Sequence, residues 1–208
     1  MIETTSCIQF IPFDAKPPGH RATYYNPQVR IKVRPTGPER RVRGTAGGDR
    51  VAYNGNVSAD TASLPTIKLL WNAVCSEHAK WMTIDIKDFY LGTPMAAPEY
   101  MRVALKHIPL AVQQRYHLGH LARDGSVLAR IDKGIYGLPQ AGILARQRLV
   151  HHLGTVGYYP CPSTPSLFRH PERDLAFTLV VDDFGVKYQS RSDAGAPHCG
   201  IETTVHHH

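Results

Sequence analysis

The chain has 208 residues, 42% hydrophobic and 20% charged, which suits one folded domain, or one and a half, and excludes a disordered tail. Lys and Arg number 24 against 17 Asp and Glu, a formal net charge of +7 that favours a polyanionic partner. Four scattered cysteines without a C-x-x-C pair exclude a disulfide scaffold or zinc ribbon, and no apolar run approaches the roughly 18 residues of a membrane helix.

The N-terminus MIETTSCIQF has no basic segment followed by an apolar stretch, so an intracellular rather than a secreted protein is expected. Residues 1–38 are rich in proline and turn residues and read as an irregular lead-in containing one short strand, QVRIKVR. RVRGTAGGDRVAY reads as two short strands around a glycine turn. Between Arg30 and Arg50 seven bases face two acids, so this segment holds +5 of the formal +7. That placement suits an arm facing a phosphate chain, and equally a solvated basic loop.

From Thr61 the pattern changes. Leu64, Ile67, Leu70, Trp71, Val74 and Cys75 recur at helical spacing, with Ser63 as N-cap and Pro65 early. WMTIDI follows as a strand, LAVQQRYHL as a short helix and SVLARI as a strand. GLPQAGILARQRLVHHL is a second helix, with Ile143, Leu144, Leu149 and Leu153 as core candidates. LAFTLVV and FGVKY read as a β-hairpin joined by Asp182-Asp183. After Tyr188 no periodicity remains, and residues 189–208 read as an unstructured C-terminal tail. Mixed helices and strands with an antiparallel hairpin predict an α+β fold.

Two adjacent carboxylates are poor hairpin-turn chemistry, because such turns prefer Asn-Gly or Asp-Gly and the charges repel. A divalent cation removes both objections. Asp85, inside the strand pattern TIDI, poses the same question: a charge there wants a partner or a metal. Local pairing with Lys87 is the alternative. Asp88 follows as the chain leaves the strand. Carboxylates holding two Mg²⁺ ions are the shared device of polymerases and many nucleases.

IDIKDFYLG, KGIYGLPQAG and LVVDDFGVKY, in that order and preceded by RVRGTAGG, resemble the reverse transcriptase of copia-type LTR retrotransposons. The resemblance covers about residues 39–188, which would be a fingers/palm domain. It implies a polymerase right hand, with an antiparallel palm sheet packed on helices, and RNA-directed DNA synthesis. The partners would be an RNA or DNA template–primer and dNTPs, and the cofactor two Mg²⁺ ions, with Mn²⁺ as the substitute.

By that likeness Asp85, Asp182 and Asp183 are the catalytic and metal-binding residues. Arg43 grips the triphosphate, with Arg41 as the nearby alternative. Asp88 and Phe89 lie along the triphosphate, Tyr90 excludes a ribose 2′-OH, and Gln140 contacts the incoming nucleotide. The sequence departs from the family in two places. Val180 stands where the family usually has tyrosine, and only about twenty patternless residues follow the hairpin, so the thumb would be missing and the fragment weakly active. A retroelement remnant that binds nucleic acid or a partner without catalysis stays open as a second reading, and another two-metal phosphoryl-transfer enzyme as a third. No membrane association is expected; the protein would act in the cytoplasm, in a retroelement particle, or in the nucleus.

Overall fold

The structure is a computed structural model that describes residues 5–190, residue 193 and residues 203–207. In chain order these residues form β1 (Ile8–Ile11), β2 (Thr23–Arg34), β3 (Gly37–Ala46), α1 (Leu64–Ser76), β4 (Lys80–Ile86), β5 (Pro94–Ala104), α2 (Leu110–Arg115) and α3 (Leu118–Leu121). There follow β6 (Ser126–Lys133), α4 (Ala141–Thr155), β7 (Tyr159–Cys161), β8 (Thr164–Arg169), β9 (Leu175–Val180), β10 (Asp183–Tyr188) and β11 (Thr203–His207). The fold is mixed α+β, with sheet dominating. No helix among the described residues is long and apolar enough to cross a membrane. The chain divides into two compact units: Met1–Val57 with Tyr90–Leu144, and Ser58–Phe89 with Ala145–His208.

The first unit is a five-stranded sheet in the order β1-β6-β5-β2-β3, antiparallel except for a short parallel contact between β2 and β5. β6 is its spine. Val127, Leu128, Ala129 and Ile131 are fully buried, so both faces of this strand are covered. Met101, Val103, Leu118 and Ile135 join the main cluster, while Tyr100 and Ile11 pack with Leu128 in a smaller one. Beyond its contact with β5, β2 continues with β3 as a two-stranded ribbon whose turn is Pro35-Thr36.

The register sorts the ribbon by chemistry. Val29 pairs with Val42, Ile31 with Arg40 and Val33 with Pro38 on one face, which is apolar but for Arg40, while Gln28 pairs with Arg43, Arg30 with Arg41 and Lys32 with Glu39 on the other. Val29, Ile31, Val33 and Val42 are all exposed.

The second unit is a six-stranded antiparallel sheet in the order β11-β4-β10-β9-β8-β7. Alternation splits β4 and β10 cleanly. Met82, Ile84, Phe184, Val186 and Tyr188 point to one face and are buried there. Phe184 continues a run of aromatic contacts to Phe177, which stacks on Phe168 at 5.0 Å between centroids. The opposite face carries Trp81, Thr83 and Asp85 from β4 beside Lys187, Gly185 and Asp183 from β10. There α1 lays Leu70 and Val74 against Trp81 and Ala176. Gly185 is needed for space, since a Cβ on it would stand 2.6 Å from the Trp81 ring. The α1 N-cap forms as the sequence requires, Thr66 N–H donating to Ser63 Oγ at 3.3 Å.

Several expectations change. The lead-in of residues 1–38 is not irregular, since β1 and β2 build the first sheet. RVRGTAGGDRVAY supplies only β3 and a following 3₁₀ turn; its pairing partner is β2, so no glycine hairpin forms. The presumed tail holds β11, which pairs with β4 from Thr203 opposite Ile86 to His207 opposite Met82; backbone pairing on an open strand edge needs no side-chain pattern. The other tail residues, apart from 189, 190 and 193, lie outside the described set. β5, β7 and β8 carry no clear sequence signal, each being interrupted or bordered by proline.

Candidate functional site

Asp85 sits one residue from the end of β4, and its exposed side chain belongs to the half-open face of the second sheet. This explains a charge in the TIDI pattern: the flanking Ile84 and Ile86 are buried on the opposite face. Directly across, in register, stands Asp183, the first residue of β10. Opposed residues in an antiparallel pair hold their Cβ atoms roughly 4.5–5.5 Å apart, so the two carboxylates are neighbours by construction.

The hairpin turn is one residue earlier than the sequence suggests. Val180 pairs with Asp183, leaving Val181 and Asp182 as the two turn residues. Ile86 N–H donates to the Asp182 carbonyl at 3.1 Å and ties this turn to the end of β4. Val181 pays for the arrangement with φ +59, a left-handed conformation that a β-branched residue adopts only under constraint. Partial desolvation, then the charges of Asp182 and Asp85, push the Asp183 carboxyl above its ordinary pKa. The three acids predicted from sequence are therefore brought together, at an electrostatic cost.

The donor chemistry suits a hard divalent cation, which takes carboxylate oxygens. The enclosure is open: among the described residues no group of three or more His, Cys, Asp or Glu side chains is gathered in a metal-holding arrangement. Asp88, one turn beyond β4, is exposed with φ +53, a conformation aspartate tolerates, and Phe89 beside it is buried.

The remaining candidates belong to the first unit. Arg43, on the basic face of β3, lays its guanidinium over the Tyr136 ring at 4.4 Å from the centroid. Tyr90 meets the same ring edge-on, at 4.9 Å and 86°. Tyr136 thus joins two of the residues predicted to face a nucleotide. Sequence reasoning passed over it, although it lies inside KGIYGLPQAG, because nothing local distinguishes an aromatic that stacks from one that fills a core. Its backbone is pinned as well, Ala46 N–H donating to the Tyr136 carbonyl at 2.7 Å. The next residue, Gly137, has φ +95, and a Cβ on it would come within 2.0 Å of the Ala46 carbonyl oxygen.

Arg41 is engaged elsewhere, its Nε donating to Glu39 at 3.0 Å, while Arg34 donates to the other Glu39 oxygen at 2.6 Å. These bonds, from Arg34 first and then Arg41, hold the Glu39 carboxyl below its ordinary pKa. Gln140 opens α4, accepting from Leu144 N–H at 3.1 Å, and its side chain is only 4% exposed. Its Nε2 donates to Glu99 at 3.1 Å, and its buried Oε1 has no hydrogen-bond partner among the described residues. Gln140 is thus held inward by Glu99, not presented at the surface. No protein-family profile matches the chain, and no curated protein matches it.

Proposed function

We propose that the chain is the RNA-directed DNA polymerase portion of a copia-type retroelement, with a right-hand polymerase fold of which it supplies fingers and palm. What supports the reading is the register of Asp183 opposite Asp85, with Asp182 in the adjoining two-residue turn. A purely structural turn has no need of acids at all three places, and the Asp183 carboxyl is pushed upward by partial desolvation first and then by the charges of Asp182 and Asp85. The reaction is attack of a primer 3′-OH on the α-phosphate of a dNTP, forming the phosphodiester and releasing pyrophosphate. Mg²⁺ at Asp85, Asp182 and Asp183 would supply charge neutralisation and a more acidic attacking hydroxyl.

The protein's own groups have separate tasks in this reading. Arg43 offers a planar fork of donors to phosphate oxygens, and Tyr90 crowds the 2′ position of the sugar. Asp88 and Phe89 form the turn along the triphosphate, and Gln140 exchanges Glu99 for the nucleotide when it contacts it. Arg41 serves the ribbon through Glu39.

Primer extension on an RNA template with Mg²⁺ tests the reading. The native chain is expected to incorporate dNTPs, and Asp183→Asn to lose activity by about 10³-fold, the equivalent of roughly 4 kcal/mol in the transition state. Equal rates in both, in a preparation free of other polymerases, would sink it. The basic face of the β2–β3 ribbon favours a second reading, a nucleic-acid-binding remnant without catalysis. Salt-dependent RNA binding with no incorporation by the native chain would decide for that one.

A further inference from the structure

The first unit contains an arrangement that the sequence did not assign: one ring, Tyr136, contacts both a cation and a second ring. Arg43 lies over its face at 4.4 Å, and Tyr90 meets it at 4.9 Å almost perpendicularly. The backbone that carries Tyr136 has little freedom. Its carbonyl is bonded to Ala46 N–H at the end of β3, and Gly137 is packed against the same residue. The Tyr136 carbonyl and Gly137 thus fix this stretch of backbone to the strand that carries Arg43.

An exposed arginine on a ribbon otherwise samples many rotamers, and ordering it on binding costs affinity. Resting on an aromatic face removes much of that cost, and a guanidinium's five N–H donors leave some to spare for a ligand beyond the ring. The edge-on contact does the same for Tyr90, fixing the angle at which its ring projects.

We infer that Tyr136 is a positioning residue with two outputs: it orders Arg43 for a nucleoside triphosphate and sets the Tyr90 ring that selects the sugar. The inference rests on the polymerase reading, and Tyr136 touches neither phosphate nor sugar in this role. Its effect is carried by the ring and not by the hydroxyl.

The experiment compares native chain, Tyr136→Phe, Tyr136→Leu and Arg43→Lys in steady-state incorporation of dNTPs and rNTPs on a primed RNA template. Tyr136→Leu is expected to raise KM for the dNTP about three- to tenfold with kcat within about twofold, and to relax discrimination against the rNTP. Tyr136→Phe keeps the native values. Arg43→Lys, which leaves the Tyr136 and Tyr90 rings intact, raises KM without changing sugar discrimination, so the two outputs separate even if the leucine variant folds poorly.

An NMR measurement needs no activity. The Arg43 side-chain protons are ring-current shifted in the native chain and in Tyr136→Phe, and lose that shift in Tyr136→Leu. Native-like kinetics in Tyr136→Leu, or a phenylalanine variant as impaired as the leucine one, overturns the inference while the polymerase reading stands. A native chain that incorporates nothing overturns that reading and takes the nucleotide role of Tyr136 with it; an Arg43 shift indifferent to leucine overturns the stack itself.

Discussion

The acid hairpin of the second unit and the aromatic–guanidinium stack of the first solve opposite problems. At Asp183 and Asp85 like charges converge, a carboxyl is displaced from its ordinary pKa, and the turn bends through a strained valine. At Tyr136 three favourable contacts meet: a cation on a π face, an edge-on ring pair and a backbone hydrogen bond. The first arrangement gathers like charge on a half-open sheet face, and the second pairs a cation with an aromatic ring. The comparison teaches which parts of a protein hold themselves in place and which must be held by the surrounding fold.

The contrast breaks most sharply at Gly137. A methyl group there meets the Ala46 carbonyl at 2.0 Å and sits on a backbone with φ +95. Gly137→Ala is expected to cost at least about 2 kcal/mol, combining left-handed strain with a clash that only a backbone shift can relieve. Urea unfolding should show the lower midpoint, and the ring-current shift of Arg43 should fade with it. An unchanged midpoint would mean the loop is not pinned to β3.

Easing the hairpin has the opposite sign. Val181 holds φ +59 and is 36% exposed, so glycine relieves the conformation against the loss of the covered part of the valine side chain. Val181→Gly is expected to stabilise by about 1 kcal/mol, or about 2–4 °C in Tm. A loss of stability in calorimetry would show that valine's packing outweighs its strain.

The smallest effect discharges the cluster. Asp183 has its folded pKa raised, so the folded state holds that proton more tightly than the unfolded one. Stability from this group is therefore full below the ordinary carboxylate value and is lost as pH rises through the folded value. Asp183→Asn should raise Tm by about 1 °C at pH 7, after allowance for solvent screening, and change nothing near pH 3. Mg²⁺ should stabilise the native chain at pH 7 and leave the asparagine variant nearly indifferent. A variant less stable than the native chain without metal would contradict the repulsion.

Periodicity exposed what depends on burial. α1 with its Ser63 cap, β4, β6 and the β9–β10 hairpin are legible because their apolar spacing matches the faces they bury. The turn register was not, since Val-Val-Asp-Asp offers no glycine to mark the crossing, and the turn is defined by the pairing of Val180 with Asp183. The lead-in misled because Pro12, Pro17, Pro18, Gly19 and Pro35 lie between strands, while Pro27 is accommodated inside β2 and Gly37 and Pro38 inside β3. Asp85, Asp182 and Asp183 could be chosen from sequence because charges next to apolar runs stand out. Tyr136 and Glu99 could not, because their importance lies in what they touch.

The pairing of β4 with β10 also has a consequence in time. β9 and β10 are joined by two residues and close quickly, whereas β4 reaches them across almost half the chain. Asp85 therefore arrives at the hairpin only when that long loop closes. Until then Asp85 is apart from Asp182 and Asp183, and its repulsion with that pair is added only at the late stage of assembly.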